Sequence, residues 1–278
     1  MKKALAILLV TLSSQAAFAF NGDVNGDGSV TSVDVTCLYN YLLSGDTSNL
    51  VHGDVNEDGN ITSADITVVY NILLGTPSET HDYVDLGLPS GTLWATTNVG
   101  AATPEECGYY FAWGETEQKD DYDWDTYQWS NGTRYNVLTK YCNKSNYGYN
   151  GFVDNLTELE PEDDAATANW GSDWRMPSLA QANELITECT WQWTTSNGVN
   201  GQLLTSKHNG ATLFLPAAGY YFGTQIYSVG NIAYYWTRDV YATRCYYARY
   251  FWFHSSGTYE TNYGDRNTGN TVRPVRAQ

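Results

Sequence analysis

The chain opens on an apolar run and then settles into two different rhythms. Ala4 to Leu12 is apolar, preceded by Lys2 and Lys3 and followed by Ala17-Phe18-Ala19, a small-x-small stop. That is the layout of an export leader, residues 1–19, and its apolar stretch is too short for a membrane span of ~20 residues. Polar loops then alternate with helical spacing. Val35, Leu38 and Leu42 recur at helix period, as do Ile66, Val69 and Leu73. The two stripes predict short helices packed on each other, since neither could bury its apolar face alone. Gly75 and Pro77 stop the second helix, and residues 76–81 (TPSETH) form a polar linker.

From residue 82 the rhythm changes to short apolar segments punctuated by Gly, Asn and Asp. Ser130-Asn131-Gly132 and Ser196-Asn197-Gly198 are turn signals. One helix stands out. Ser178 and Gln181 make a capping box ahead of the stripe Leu179, Ala182, Leu185, Ile186 and Cys189. Residues 211–216 and 246–253 carry strand patterns. The fold class is therefore α+β: a small all-α domain at 20–75, then an α+β domain at 82–278 with short strands and long loops.

The first domain is a duplication. Residues 22–43 (GDVNGDGSVTSVDVTCLYNYLL) return at 53–74 (GDVNEDGNITSADITVVYNILL), 31 residues later. Each copy places oxygen-bearing residues at loop positions 1, 3, 5, 7, 9 and 12. These are Asp23, Asn25, Asp27, Ser29, Thr31 and Asp34, then Asp54, Asn56, Asp58, Asn60, Thr62 and Asp65. Ser29 and Asn60 would offer backbone carbonyls, and Gly28 and Gly59 permit the sharp bend. A hard cation taking roughly six to eight oxygen ligands requires this pattern, so two calcium ions are expected. Position 12 is Asp where an EF-hand has Glu, and no entering helix precedes the first loop. Such loop-helix units in tandem resemble a type I dockerin over residues 21–75. The resemblance implies a cohesin-like scaffold or surface protein as partner, contacted at Ser32, Val33, Ser63 and Ala64, in either of two pseudo-twofold orientations.

Charge and composition narrow the partners. The formal net charge is −17, which repels nucleic acid and anionic membranes, and losing Lys2 and Lys3 with the leader deepens it. With no cysteine at the cleavage point to carry a lipid, the chain is expected to be secreted or held at the cell surface. The 10 Trp and 23 Tyr are recognition-type residues, each an apolar body with a polar tip. Five cysteines, Cys37, Cys107, Cys142, Cys189 and Cys245, leave at least one unpaired, and spacing does not fix the pairing.

In the second domain, Tyr83-Val84-Asp85-Leu86-Gly87-Leu88-Pro89-Ser90-Gly91 and Trp94-Ala95 are followed by Tyr110-Phe111-Ala112-Trp113-Gly114-Glu115. Then come Ala165-Ala166-Thr167-Ala168-Asn169-Trp170, Trp174-Arg175-Met176-Pro177, Leu215-Pro216-Ala217-Ala218-Gly219 and the terminal Val272-Arg273-Pro274-Val275-Arg276. In this order they resemble the Fibrobacter succinogenes major paralogous domain, common in secreted Bacteroidetes proteins. The resemblance implies a C-type-lectin-like fold, akin to formylglycine-generating enzymes and to the variable proteins of diversity-generating retroelements.

Catalytic signals are weak. No GxSxG nucleophile motif occurs, the cysteines miss the formylglycine-generating pattern, and His52, His81, His208 and His254 stand singly. The acidic run Glu158, Glu160, Glu162, Asp163 and Asp164 has the composition of a solvated face. Residues 238–271 contain no Lys, Gln or Met and are crowded with Tyr, Arg, Asn and Asp. Adenine-directed mutagenesis of Asn-type codons leaves such a composition, and so does a Tyr-rich framework strand; both readings stand. Alternation over 246–254 sets Tyr247, Arg249, Phe251 and Phe253 opposite Tyr246, Ala248, Tyr250, Trp252 and His254, without saying which set faces water. Arg238, Asp239, Tyr241 and Arg244, and Tyr259, Asn262, Asp265 and Arg266, are expected in loops as ligand contacts. Arg273 and Arg276 are expected to close the terminal pairing.

The sequence thus describes a secreted, non-catalytic protein anchored through calcium loops and recognising a glycan or protein, in the setting of polysaccharide breakdown. The alternatives are a structural cell-surface component and an accessory enzyme of polysaccharide breakdown.

Overall fold

The computed structural model describes residues 22–56, 59–73 and 81–276, which fall into two compact units dividing at residue 76. The export leader, Asp58, Gly75, Pro77 and residues 76–80 of the linker lie outside the described residues.

In the first unit, helix α1 (Ser32–Ser44) begins where Thr31 turns extended. The Thr31 hydroxyl accepts the Val33 N–H at 3.1 Å, and the Asp34 carboxylate accepts the Thr31 N–H at 2.7 Å. Two amides at the helix start are thereby satisfied by side chains two and three residues away. The helix ends at Gly45, whose φ of 71° is a left-handed cap that Ala would resist. Helix α2 (Ser63–Leu73) starts in the same way at Thr62. Val35, Leu38, Ile66 and Val69 meet in the core, closed by Val24 and Val55 from the loops and by Cys37. Leu42 and Leu73, expected in that core, are instead 40% and 37% exposed. The loop valines fill the core beside the first turns of the helices, so the last turns run past it.

The second unit is built, in chain order, from β1 (Tyr83–Asp85), β2 (Leu93–Ala95), α3 (Ala165–Trp170), α4 (Leu179–Glu188), β3 (Cys189–Ser196) and β4 (Val199–Ser206). Then follow β5 (Thr212–Pro216), β6 (Tyr220–Phe222), β7 (Gln225–Tyr227), β8 (Ile232–Val240), β9 (Tyr247–His254), β10 (Tyr259–Asp265) and β11 (Val275–Arg276). The strands pair antiparallel in the orders β1-β2-β11, β3-β4-β5, β6-β7 and β10-β9-β8. The chain is α+β, as expected. Asn197 and Gly198 take φ of 47° and 85° at the β3–β4 turn, the left-handed pair that matches strand twist in a two-residue hairpin. Ser178 and Gln181 form the expected capping box on α4. Cys189 leaves the helical stripe and starts β3.

Helix α4 packs on the β8–β10 sheet, where Ala182 and Leu185 join Trp94, Tyr235, Phe251 and Phe253 in one core cluster. Phe251 and Phe253 therefore point inward, and the opposite set is half-buried as well, because Trp236 and Tyr250 pack into a second cluster around Trp113. The acidic run divides: Glu158 and Glu162 are exposed, as a solvated face should be, but Asp163 and Asp164 are buried. Asp164 is fully buried and accepts the Ala166, Thr167 and Met176 N–H groups, capping α3. Asp163 is buried against the Tyr141 hydroxyl and Lys140, and Glu158 pairs with Arg238 at 2.8 Å.

Two guanidinium groups are fully buried. Arg273 donates to the Asn98 side chain at 2.8 Å and to the Ala95 and Thr96 carbonyls, which closes the pairing of β2 with β11 as expected. Burial pulls it down to about 10. Arg266 donates to the Tyr127 hydroxyl at 2.8 Å and to the carbonyls of Lys140, Tyr141 and Cys245, with Trp113 under the guanidinium at 4.8 Å. Arg266→Met strands those acceptors and should cost the second unit ~3 kcal/mol or more. Arg266→Lys should not rescue it, since an ammonium cannot span the same fork. Denaturant melts followed by Trp fluorescence read this directly, and a loss below about 1 kcal/mol would contradict the assignment.

Candidate functional site

The two acidic loops fold by one hydrogen-bond scheme, repeated at the sequence offset. The Asn25 N–H reaches Asp34 at 3.1 Å, and the Asn56 N–H reaches Asp65 at 3.1 Å. Gly28 donates to Asp23 at 2.8 Å, and Gly59 donates to Asp54 at 2.9 Å. Both glycines sit near φ 90°, where a β-carbon would be strained. In the first loop Asp23 also takes the Gly26 and Asp27 amides, while Asn25 and Asp27 bond to each other through their side chains at 2.9 Å. Ser29 and Asn60 are exposed at the loop rims. Asp58 lies outside the described residues.

Do these residues fit a cation? Asp34 and Asp65 are fully buried carboxylates. No Lys or Arg occurs anywhere between Lys3 and Lys119, so the described part of the unit has neither to balance them. Backbone amides supply only partial positive charge, and clustered carboxylates repel. The donors are all oxygen, as a hard divalent ion prefers. Among the described residues no three acidic, His or Cys side chains are gathered as a ready-made cage, because the carboxylate oxygens are turned onto the loop's own amides. The donor set fits calcium.

The partner-contact candidates Ser32, Val33, Ser63 and Ala64 all lie exposed in the first turns of α1 and α2. The sequence reading missed a second exposed set at matching positions of the repeat, Tyr39 with Tyr70 and Leu42 with Leu73. Both pairs were visible as identities at the repeat offset, but the helical stripe assigned the leucines inward.

The ligand-contact candidates do not converge as expected. Arg238 and Asp239 belong to β8, and Tyr259, Asn262 and Asp265 to β10, so none of these five is in a loop. Asp239 accepts the Leu179 N–H at 2.6 Å, seating the start of α4, and burial raises its carboxyl. Arg266 is sealed inside and cannot touch a ligand. Tyr259 stacks on Trp191 at 5.0 Å at one end of β10, while Asp265 lies at the other. Tyr241 and Arg244 sit between β8 and β9, and Arg266 in the turn after β10, as expected of a loop though not of a contact.

Around that turn, however, tyrosines gather. Tyr241 stacks on Tyr263 at 4.0 Å, Tyr246 lies 4.2 Å from Tyr247 and 4.5 Å from Tyr135, and Tyr147 is 4.8 Å from Tyr246. The Arg249 guanidinium rests 4.5 Å from the Tyr241 ring. Elsewhere a cleft of about 670 Å³ is lined by Glu105, Glu106, Cys107, Asn197 and Asn200 among others. Burial pushes the Cys107 thiol up, which makes it a poor nucleophile, and Ser196 and Asn197 hold Glu105.

The dockerin type I domain family matches residues 21–74, and matches again at 52–86, one repeat later, as a duplicated unit should. No curated protein and no solved structure matches the chain. A dockerin domain is a non-catalytic assembly module, and it implies calcium-dependent binding to a cohesin partner. Such modules are typically extracellular, and among the described residues no helix is long and apolar enough to cross a membrane.

All ten tryptophans lie in the second unit, so their fluorescence is blind to the first. A chelator should abolish the helical signal of α1 and α2 while leaving Trp emission unchanged, since so small a core leans on metal. Asp34→Ala should remove one of two calcium binding events in calorimetry, and Asp34→Ala with Asp65→Ala both. Calcium heats that survive the double substitution would contradict the site.

Proposed function

We propose that the chain is an exported, non-catalytic binding protein whose calcium-dependent first unit anchors it and whose second unit presents a tyrosine surface to a glycan or protein ligand. The observation that carries the reading is the exact recurrence of loop hydrogen bonds and exposed helix residues at one offset. In this reading calcium supplies the positive charge that each loop lacks, held by Asp23, Asn25, Asp27, Ser29, Thr31 and Asp34, and by Asp54, Asn56, Asp58, Asn60, Thr62 and Asp65. The chain's own part is geometric. Asp34 and Asp65 tie each loop to the start of its helix, so closing a loop fixes the direction of the helix that carries Ser32 and Val33, or Ser63 and Ala64.

Because both helices present the same kind of face, either can bind, and the anchor works in two orientations. Val33 is 52% exposed, and its repeat mate Ala64 is exposed as well. Val33→Arg alone should leave cohesin binding within about threefold, whereas Val33→Arg with Ala64→Arg should abolish it. Loss from the single variant would mean one fixed orientation.

In this reading the second unit is the lectin-like paralogous domain its motifs resemble, which brings a polysaccharide setting. Its ligand surface is the β8–β9 turn, with Tyr241, Arg244, Tyr246 and Tyr247, rather than the wider set read from sequence. Tyr and Arg make strong contacts at low entropic cost. Tyr246→Ala should weaken a ligand found on a glycan or protein array by at least about tenfold. The structural alternative draws on one observation: the β6–β7 hairpin and its flank expose Phe222, Ile226, Tyr227 and Val229. Self-association lost on Phe222→Ser, together with an empty array, would favour it.

A further inference from the structure

We infer that Cys142 and Cys245 form a disulfide that clamps residues 141–156 to the β8–β9 turn. The two sulfurs lie 2.8 Å apart and both residues are fully buried. Carbon-sized atoms pack at roughly 3.5–4.0 Å, and sulfur is larger, so two unbonded thiols do not sit this close. A bond of about 2.05 Å needs only a small further approach.

Neither sulfur is there by drift. The Tyr141 and Cys142 amides both donate to the Asp154 carboxylate, at 2.6 and 2.9 Å, and this holds Tyr141 in a left-handed conformation with φ 58°. The Cys245 carbonyl accepts from Arg266 at 3.0 Å, and the same guanidinium holds the Tyr141 carbonyl at 3.2 Å. Asn143 donates to the Ala242 carbonyl at 2.9 Å, which joins the two segments a second time. The backbone on each side is therefore fixed independently of the sulfurs. Cys37 belongs to the other unit, and no hydrogen bond brings Cys107 or Cys189 to a sulfur among the described residues.

Closing the bond releases two protons and two electrons. One thiolate attacks the disulfide of an external thiol oxidant, expelling one thiol and leaving a mixed disulfide. The second cysteine's thiolate then attacks the first cysteine's sulfur, forming the protein disulfide and expelling the oxidant's other thiol. The hydrogen bond from Cys245 favours the Cys142 thiolate, so Cys142 is the sulfur placed to make the first attack. The closed loop of more than a hundred residues lies in the range where such a bond restricts the unfolded chain most. Tyr147 follows one cysteine and Tyr246 and Tyr247 the other, so the clamp also holds the tyrosine cluster together. That last consequence rests on the proposed ligand surface; the bond itself does not.

The test uses the full chain refolded in a glutathione redox buffer. Trypsin frees residues 141–144 and 245–249 as two short peptides. Mass spectrometry of the unreduced, alkylated digest should find them joined, and reduction should separate them. Finding both peptides alkylated without reduction would overturn the proposal. In parallel, reductant should lower the Tm of the second unit by roughly 10 °C. Cys142→Ala with Cys245→Ala should melt near that lower value and ignore reductant. A wild-type Tm indifferent to reductant would also overturn it. If the bond is found but its loss leaves ligand affinity unchanged, the clamp stands and the assignment of the surface falls.

Discussion

Charge held out of water without an opposite charge beside it is the constraint on which both units depend, with opposite sign in each. In the first unit the buried ions are carboxylates, Asp34 and Asp65, met chiefly by backbone N–H groups, with the Thr31 hydroxyl also on Asp34. In the second they are guanidiniums, Arg266 and Arg273, met chiefly by backbone carbonyls. Such dipoles are weak counter-charges individually, and the balance is kept by number and direction. The consequences differ. A guanidinium with several fixed acceptors is complete as it stands, and it welds distant segments. A carboxylate on a few amides in a unit without Lys or Arg still lacks full compensation, and a divalent ion supplies it.

That difference explains what the sequence could and could not disclose. The calcium loops were legible because every contact runs within a dozen residues, so spacing alone encodes geometry. The α4 cap and the Asn197-Gly198 hairpin were legible for the same reason. Arg266 was misread as a surface contact because its burial comes from Tyr127, Lys140 and Tyr141, far back along the chain and without periodicity. The end of the acidic run was misread likewise: nothing local reveals that Asp164 closes on Met176 or that Tyr141 meets Asp163. The Cys142–Cys245 pairing belongs to this long-range class too.

The stripe error in the first unit has a different origin. Period alone placed Leu42 and Leu73 inward, but the loop valines Val24 and Val55 fill the core beside the first turns. A helical stripe predicts a face, not how far along that face the core extends. Here the surplus turn leaves Tyr39, Leu42, Tyr70 and Leu73 in repeat-matched exposure. For a small unit alone that exposure is a cost in water.

Ring packing also limits what ligand the proposed tyrosine surface of the second unit would suit. Abundant Tyr and Trp suggest sugar rings stacked on open aromatic faces. Yet Tyr241 and Tyr263 lie face to face at 4.0 Å with ring planes 4° apart, so each has used one face on the other. Tyr246 is crowded by Tyr135, Tyr147 and Tyr247 within 5 Å. The exposed members of the cluster are Tyr135 and Arg244, while the Arg249 guanidinium lies over the Tyr241 and Tyr263 rings. As the proposed ligand surface, it would suit hydrogen-bonding groups, sugar hydroxyls or peptide amides, more than flat apolar faces. Because the rings brace one another, few rotamers remain to be lost on binding, and the affinity given by each hydroxyl is retained.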